Sequence, residues 1–151
     1  MKVCIIGDGL VGLTLANMLI QKELIVDILS TKKNNKYDKS RTLGISKSNI
    51  DYFNKEIINI KNISWEINKI KIYTEKNFRE EILKFNNNNE QIFSIIKNYE
   101  LEKLLNNKLK KSNFIKFKTI TNYKDIIKQE YNLIINCEPN HQITKKFFSK
   151  K

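Results

Sequence analysis

The chain has 151 residues, 40% hydrophobic and 29% charged, with a formal net charge of +12. That length fits one domain with room for a real core, and the composition excludes a collagen, a disulfide-stapled miniprotein and a chain disordered throughout. One histidine, His141, and two cysteines, Cys4 and Cys137, exclude a site of several histidines and a four-cysteine zinc site.

In chain order, residues 2–7 predict a short buried strand, because Val3, Cys4, Ile5 and Ile6 form a continuous, largely β-branched run. A glycine-rich turn over 7–12 follows, then a helix over 13–22 that is apolar almost all round, and a second apolar strand over 24–29 interrupted by Asp27. Together these make a βαβ unit of about 30 residues, which calls for a parallel strand pair and a right-handed crossover. Residues 30–40 form a polar loop, and Ser46 is placed to cap a short helix over 46–54. Residues 69–73 alternate Ile with polar residues as a half-buried strand does, with 78–85 as an antiparallel partner, a turn over 86–89 and another strand over 91–96. Leu101, Leu104, Leu105 and Leu109 recur at helical spacing within 98–111. Residues 113–118 and 133–135 are further strand candidates, separated by a polar stretch with room for a short helix. The sum is an α/β fold: a Rossmann-like dinucleotide-binding domain with a parallel βαβ core plus a β-meander of antiparallel strands, spanning 1–151 as a single domain.

No apolar run of about 18 residues is present, so no transmembrane helix is expected. Only Lys2 precedes the apolar start and no cleavage site follows, so the expectation is a soluble, cytoplasmic protein with reduced thiols. Residues 1–50 carry eight basic and four acidic side chains, 51–100 eight of each, and 101–151 twelve basic against four acidic. Such an excess raises the question of nucleic acid. The chain also holds 21 Asn and is rich in Ile and Lys, residues with AT-rich codons. The charge is therefore read first as compositional drift. A basic nucleic-acid-binding protein ranks third among the readings, since the aromatic clusters of single-strand binders are missing.

The chemistry concentrates in Gly7-Asp8-Gly9-Leu10-Val11-Gly12, a G-x-G-x-x-G turn that ends a strand and opens a helix. Gly7 permits the tight turn, Gly9 lets backbone approach a pyrophosphate, and Gly12 lets helix and strand pack closely. Leu10 and Val11 then offer amides at a positive helix end to the phosphates. The ribose-gripping acid of such sites falls at Ser30 here, with Asp27 three residues too early. Ser30 followed by Thr31, Lys32 and Lys33 could instead suit the 2′-phosphate of NADP, which makes an NADP-binding domain the second reading.

Beyond the turn, the sequence resembles the flavin-dependent aromatic hydroxylases, and among them the ubiquinone-biosynthesis hydroxylases. Residues 7–29 look like their FAD-binding βαβ unit, and Ser40-Arg41-Thr42-Leu43-Gly44-Ile45-Ser46 is similar to their R-x-L-x-L-S stretch. Residues 65–72 resemble the segment that enters their substrate-side sheet, and 95–101 their V-V-E-N-x-x-L strand-to-helix step. Asn132 to Pro139 align with their D-L-L-I-G-A-D-G, with Glu138-Pro139 in place of Asp-Gly. The resemblance implies FAD as cofactor, NAD(P)H as co-substrate and O2-dependent hydroxylation of a polyprenylated aromatic ring. It implies that Arg41 and Glu138 join Gly7, Gly9, Leu10, Val11, Gly12 and Ser30 at the cofactor, and that a polyprenyl substrate brings the protein peripherally to the membrane. It leaves the later Gly-Asp motif of that family without a counterpart, so an incomplete domain, or one completed by a partner chain, is expected.

The single residues get plainer readings. His141 reads as a solvent-exposed side chain without an acid–base partner, Cys4 as a small core hydrophobe, and Trp65 as core. No Ser-His-Asp set is present. That fits a flavoprotein, in which the cofactor performs the hard step and the protein supplies position, dryness and charge.

Overall fold

The amino end folds as its residues dictate. In β1 (Lys2–Ile6) every residue from Val3 to Ile6 is sealed from solvent, and α1 (Leu10–Ile20) leads to β2 (Ile25–Ser30), whose Val26 to Leu29 are equally buried. The computed structural model describes residues 1–30, 39–75, 80–86, 90–119, 124–127, 130–139 and 142–148, gathered into two compact units, Met1–Tyr37 with Glu102–Lys151, and Asp38–Leu101.

The second unit opens with β3 (Thr42–Ser46) and α2 (Lys47–Tyr52). Ser46 caps α2 as expected, its Oγ accepting the Asn49 amide at 3.3 Å, and the helix widens into a π-helical turn over Phe53–Ile57. After a 3-10 turn (Lys61–Ile63) come β4 (Ser64–Ile67), β5 (Lys69–Tyr73), β6 (Glu81–Asn86) and β7 (Phe93–Lys97). β7 is the middle of an antiparallel sheet ordered β3-β7-β4, and β5 and β6 form a separate two-stranded ribbon. Among the described residues of this unit, Ile45, Ile50, Ile57, Ile60, Ile96 and Leu101 are the buried apolar ones.

The chain enters α3 (Asn98–Leu109) within the second unit and leaves it within the first, followed by β8 (Ile115–Thr119), α4 (Lys124–Ile127), β9 (Leu133–Asn136) and a π-helical turn over Thr144–Phe148. β8, β2, β1 and β9 make one fully parallel sheet in that order. Cys4, Ile6, Leu29, Ile126 and Ile143 share one cluster, with Tyr131 packed against it. Each fully buried Ile or Leu contributes roughly 1.5–3 kcal/mol. Asn17, sealed in α1, donates from Nδ2 to the carbonyls of Leu13 (2.8 Å) and Leu105 (3.2 Å), fastening α1 to α3.

The expected mixed α/β fold with a parallel βαβ core and added antiparallel strands is therefore present. Several details differ. α1 begins at Leu10 rather than Leu13, because the glycine turn itself supplies the first helical residues. β3 and β4 were not expected: short and mostly exposed, without a period-2 pattern, they pair only with β7. Trp65 is not core; on the edge strand β4 it is 53% exposed, with the Lys97 ammonium 5.0 Å from its ring centroid. β5 is mostly exposed rather than half-buried. The expected start of β6 at Phe78 and most of the 86–89 turn lie outside the described residues. No helix among the described residues is long and apolar enough to cross a membrane.

Candidate nucleotide-binding turn

The three glycines of the turn sit in three different physical settings. Gly7 holds φ at +106°, a conformation that L side chains rarely adopt, while its amide donates to the Leu29 carbonyl at 2.8 Å. A Cβ there would stand 3.2 Å from the Cys137 carbonyl carbon and 3.3 Å from Glu138 Cβ. At Gly12 a Cβ would lie 2.0 Å from the Gly7 carbonyl oxygen, so only glycine lets α1 sit this close to the end of β1.

Gly9 is the informative one. Its φ of −79° and ψ of −176° are ordinary extended backbone, and a Cβ there would meet nothing within 4 Å. Neither conformation nor packing asks for glycine, and the space over its Cα is open. Gly9 is the N-cap of α1, with no side-chain cap and no acidic residue in the first turn. The Leu13 amide makes the first intrahelical bond, to the Gly9 carbonyl at 2.9 Å, and the amides of Leu10, Val11 and Gly12 stand ahead of it. Val11 is 68% exposed. Backbone donors at the positive end of an 11-residue helix, beside the open face of Gly9, suit the diphosphate of a dinucleotide.

The far wall comes from the end of β9. The Cys137 amide donates to the Ile6 carbonyl at 2.8 Å, which carries Cys137 and Glu138 against Gly7. Burial raises the Cys137 thiol above the usual range, which makes it a poor thiolate. The structure thus brings Gly7, Gly9, Leu10, Val11, Gly12 and Glu138 together. Ser30 ends β2, half-buried, one residue beyond the carbonyl that anchors Gly7. Arg41 belongs to the other compact unit; it is exposed, and its carbonyl accepts the Asn98 amide at 3.0 Å. Thr31, Lys32, Lys33 and His141 lie outside the described residues.

Asp27 is not a displaced ribose acid. Its side chain is fully buried on β2, where Oδ2 accepts from Lys118 Nζ and the Tyr131 hydroxyl, each at 2.8 Å, with Lys2 Nζ at 3.6 Å. Burial alone would raise its carboxyl, but the hydrogen bonds from Lys118 and Tyr131 and the charges of Lys118 and Lys2 outweigh it and hold the group below its usual range. Desolvation, with Asp27 as hydrogen-bond partner, raises the Tyr131 phenol. Cys4, the register partner of Asp27 on β1, has its thiol pushed up to about 12, first by burial and then by the carboxylate's charge. This network fastens β1, β2 and β8. Sequence reading missed it; the available signal was an acid within a buried apolar strand, which demands partners. Among the described residues no group of three or more His, Cys, Asp or Glu could hold a metal ion.

With that geometry in view, the chain can be set beside known proteins. No protein-family model matches it, and no curated protein matches it. Among solved structures it is similar to PqsL of Pseudomonas aeruginosa, a probable FAD-dependent monooxygenase, at a TM-score of 0.64 and 14% identity over 79% of this chain and 32% of that one. It is similar to p-nitrophenol 4-monooxygenase PnpA of Pseudomonas putida DLL-E4, at 0.65 and 14% over 78% of this chain and 31% of that one. A mutant of 2-methyl-3-hydroxypyridine-5-carboxylic acid oxygenase matches at 0.63 and 13% over 78% and 31%. The chain spans about a third of the length of these structures. The likeness establishes the fold: a mixed α/β domain of the kind found in flavin-dependent aromatic monooxygenases.

Proposed function

We propose that this chain is the FAD-binding part of a flavin-dependent aromatic monooxygenase of the ubiquinone-biosynthesis type, and that residues 1–151 act as one cofactor domain. The observation that carries the reading is the empty approach over Gly9 at the uncapped start of α1. The amides of Leu10, Val11 and Gly12 receive the pyrophosphate, each such contact being worth roughly 0.3–1 kcal/mol or somewhat more where water is excluded. Gly7 and Gly12 set the turn, and Ser30 offers its hydroxyl toward the ribose. Arg41 supplies a forked cation for the nucleotide, a role lysine does not copy. Glu138 lines the wall against Gly7. When bound, FAD supplies the redox chemistry by which NAD(P)H and O2 hydroxylate a polyprenylated aromatic ring. The protein's own part is binding, orientation and exclusion of water. Such a substrate implies peripheral docking at a membrane, and a further polypeptide segment or partner chain would complete the catalytic centre; nucleic acid is not a proposed partner.

The test is flavin retention. The purified chain, mixed with FAD and desalted, is expected to keep the yellow absorbance, and Gly9→Ala to weaken FAD at least about tenfold in a fluorescence titration while losing less than about 1 kcal/mol of stability. Equal FAD affinity in the Gly9→Ala chain would overturn the assignment. A colourless chain that instead binds NADPH would shift it to the NADP reading, which Ser30 in the acid's place favours.

A further inference from the structure

β9 ends at Asn136, and beyond the Cys137 amide the backbone has no ladder left to join. Side chains take over there. Asn136 Oδ1 accepts the Glu138 amide at 3.1 Å, Thr144 Oγ1 donates to the Glu138 carbonyl at 2.8 Å, and Asn136 Nδ2 donates to Thr144 Oγ1. The donor logic closes in one way only. The hydroxyl spends its single hydrogen on the carbonyl and a lone pair on the carboxamide, which in turn uses both of its ends. Both backbone polar groups of Glu138 are therefore held by two side chains, and the next residue, Pro139, has no N–H to offer. The held segment is the one whose Cys137 carbonyl and Glu138 Cβ would stand 3.2–3.3 Å from a Cβ at Gly7.

We propose that Asn136 and Thr144 are positioning residues of the nucleotide cradle, a clamp that fixes the Cys137–Glu138 wall against Gly7 and so sets the turn that presents the α1 amides; the ligand in this inference rests on the flavin reading above, the clamp on geometry alone. The Cys137–Ile6 bond brings the segment to Gly7, and these three bonds fix Glu138 beyond it. Both residues act through Glu138 and Gly7.

The test uses the full chain, with amide hydrogen exchange measured without ligand and FAD affinity measured by fluorescence titration. Thr144→Val keeps the shape but removes donor and acceptor. It is expected to speed exchange at the Cys137 and Glu138 amides about tenfold, the scale of one lost hydrogen bond, and to weaken FAD by a similar factor. Thr144→Ser is expected to stay within about twofold of the parent on both readouts, since the hydroxyl survives. Should Thr144→Val also speed exchange across Val3–Ile6, the fold itself has loosened, and Asn136→Ala is read by the same criteria. Unchanged exchange at Cys137 and Glu138, or faster exchange there with FAD affinity intact, overturns the clamp. A parent chain without FAD affinity overturns the flavin reading instead, and the exchange data still judge the clamp.

Discussion

The parallel sheet and the β5–β6 ribbon draw on the same Ile- and Lys-rich alphabet and reach opposite states. β1 and β2 bury four residues each, and their one interior charge, Asp27, is matched by two ammonium groups and a phenol. β6 is exposed at all six residues, and Ile72, Ile82, Leu83 and Phe85 face solvent beside Lys71, Lys84 and a cross-strand Lys71–Glu81 pair at 2.6 Å. Strand sequence alone therefore does not decide burial. Cover on the faces does, as α1 packed against β1 and β2 shows. A two-stranded ribbon is marginal by itself.

The contrast can be broken from either side. The largest effect is expected at Asp27→Ala, at about 3 kcal/mol, because it empties a fully buried position and takes the acceptor from the Tyr131 hydroxyl and from two ammonium groups that still reach water. Thermal unfolding checks it. The sign with pH follows from the lowered carboxyl: the Asp27 contribution is complete above its unfolded value of about 4 and is lost as pH falls through the lower folded one. Acidification through that window should therefore narrow the gap in Tm between parent and Asp27→Ala. Gly12→Ala comes next, at about 3 kcal/mol, since a methyl 2.0 Å from the Gly7 carbonyl forces helix and strand apart. Denaturant unfolding measures it, and equal stability would mean that α1 can slide. At the other extreme, Ile82→Ser on the exposed ribbon should change stability by no more than about 0.5 kcal/mol. A larger loss there would show that the ribbon is covered in solution.

Signals that reside in a few neighbouring residues were legible before any coordinates. The glycine turn with its flanking strand and helix, the Ser46 cap and the leucine face of α3 all depend on short spacings. β3 and β4 were not legible, since Thr42–Ser46 and Ser64–Ile67 are strands only by pairing with β7. Trp65 misled because bulk argues for burial, while an edge strand under Lys97 keeps the ring wet. At the candidate site, the turn at Gly7 and the close packing at Gly12 could be read from spacing. Glu138 entered only through resemblance, and the Asn136–Thr144 bonds and the Asp27 cluster entered not at all. Each of these joins residues whose approach is set by the parallel sheet or the chain's return to it.

The order in which the chain leaves the ribosome bears on the same sheet. β1 receives its second flanking strand from Leu133–Asn136, and the Lys2 amide reaches the Asn132 carboxamide across 130 positions. At translation speeds of 5–20 residues per second, the first strand waits on the order of ten seconds for that neighbour. Until then one flank of an oily strand is bare. The nascent strand should therefore need chaperone shielding until Leu133–Asn136 has been made.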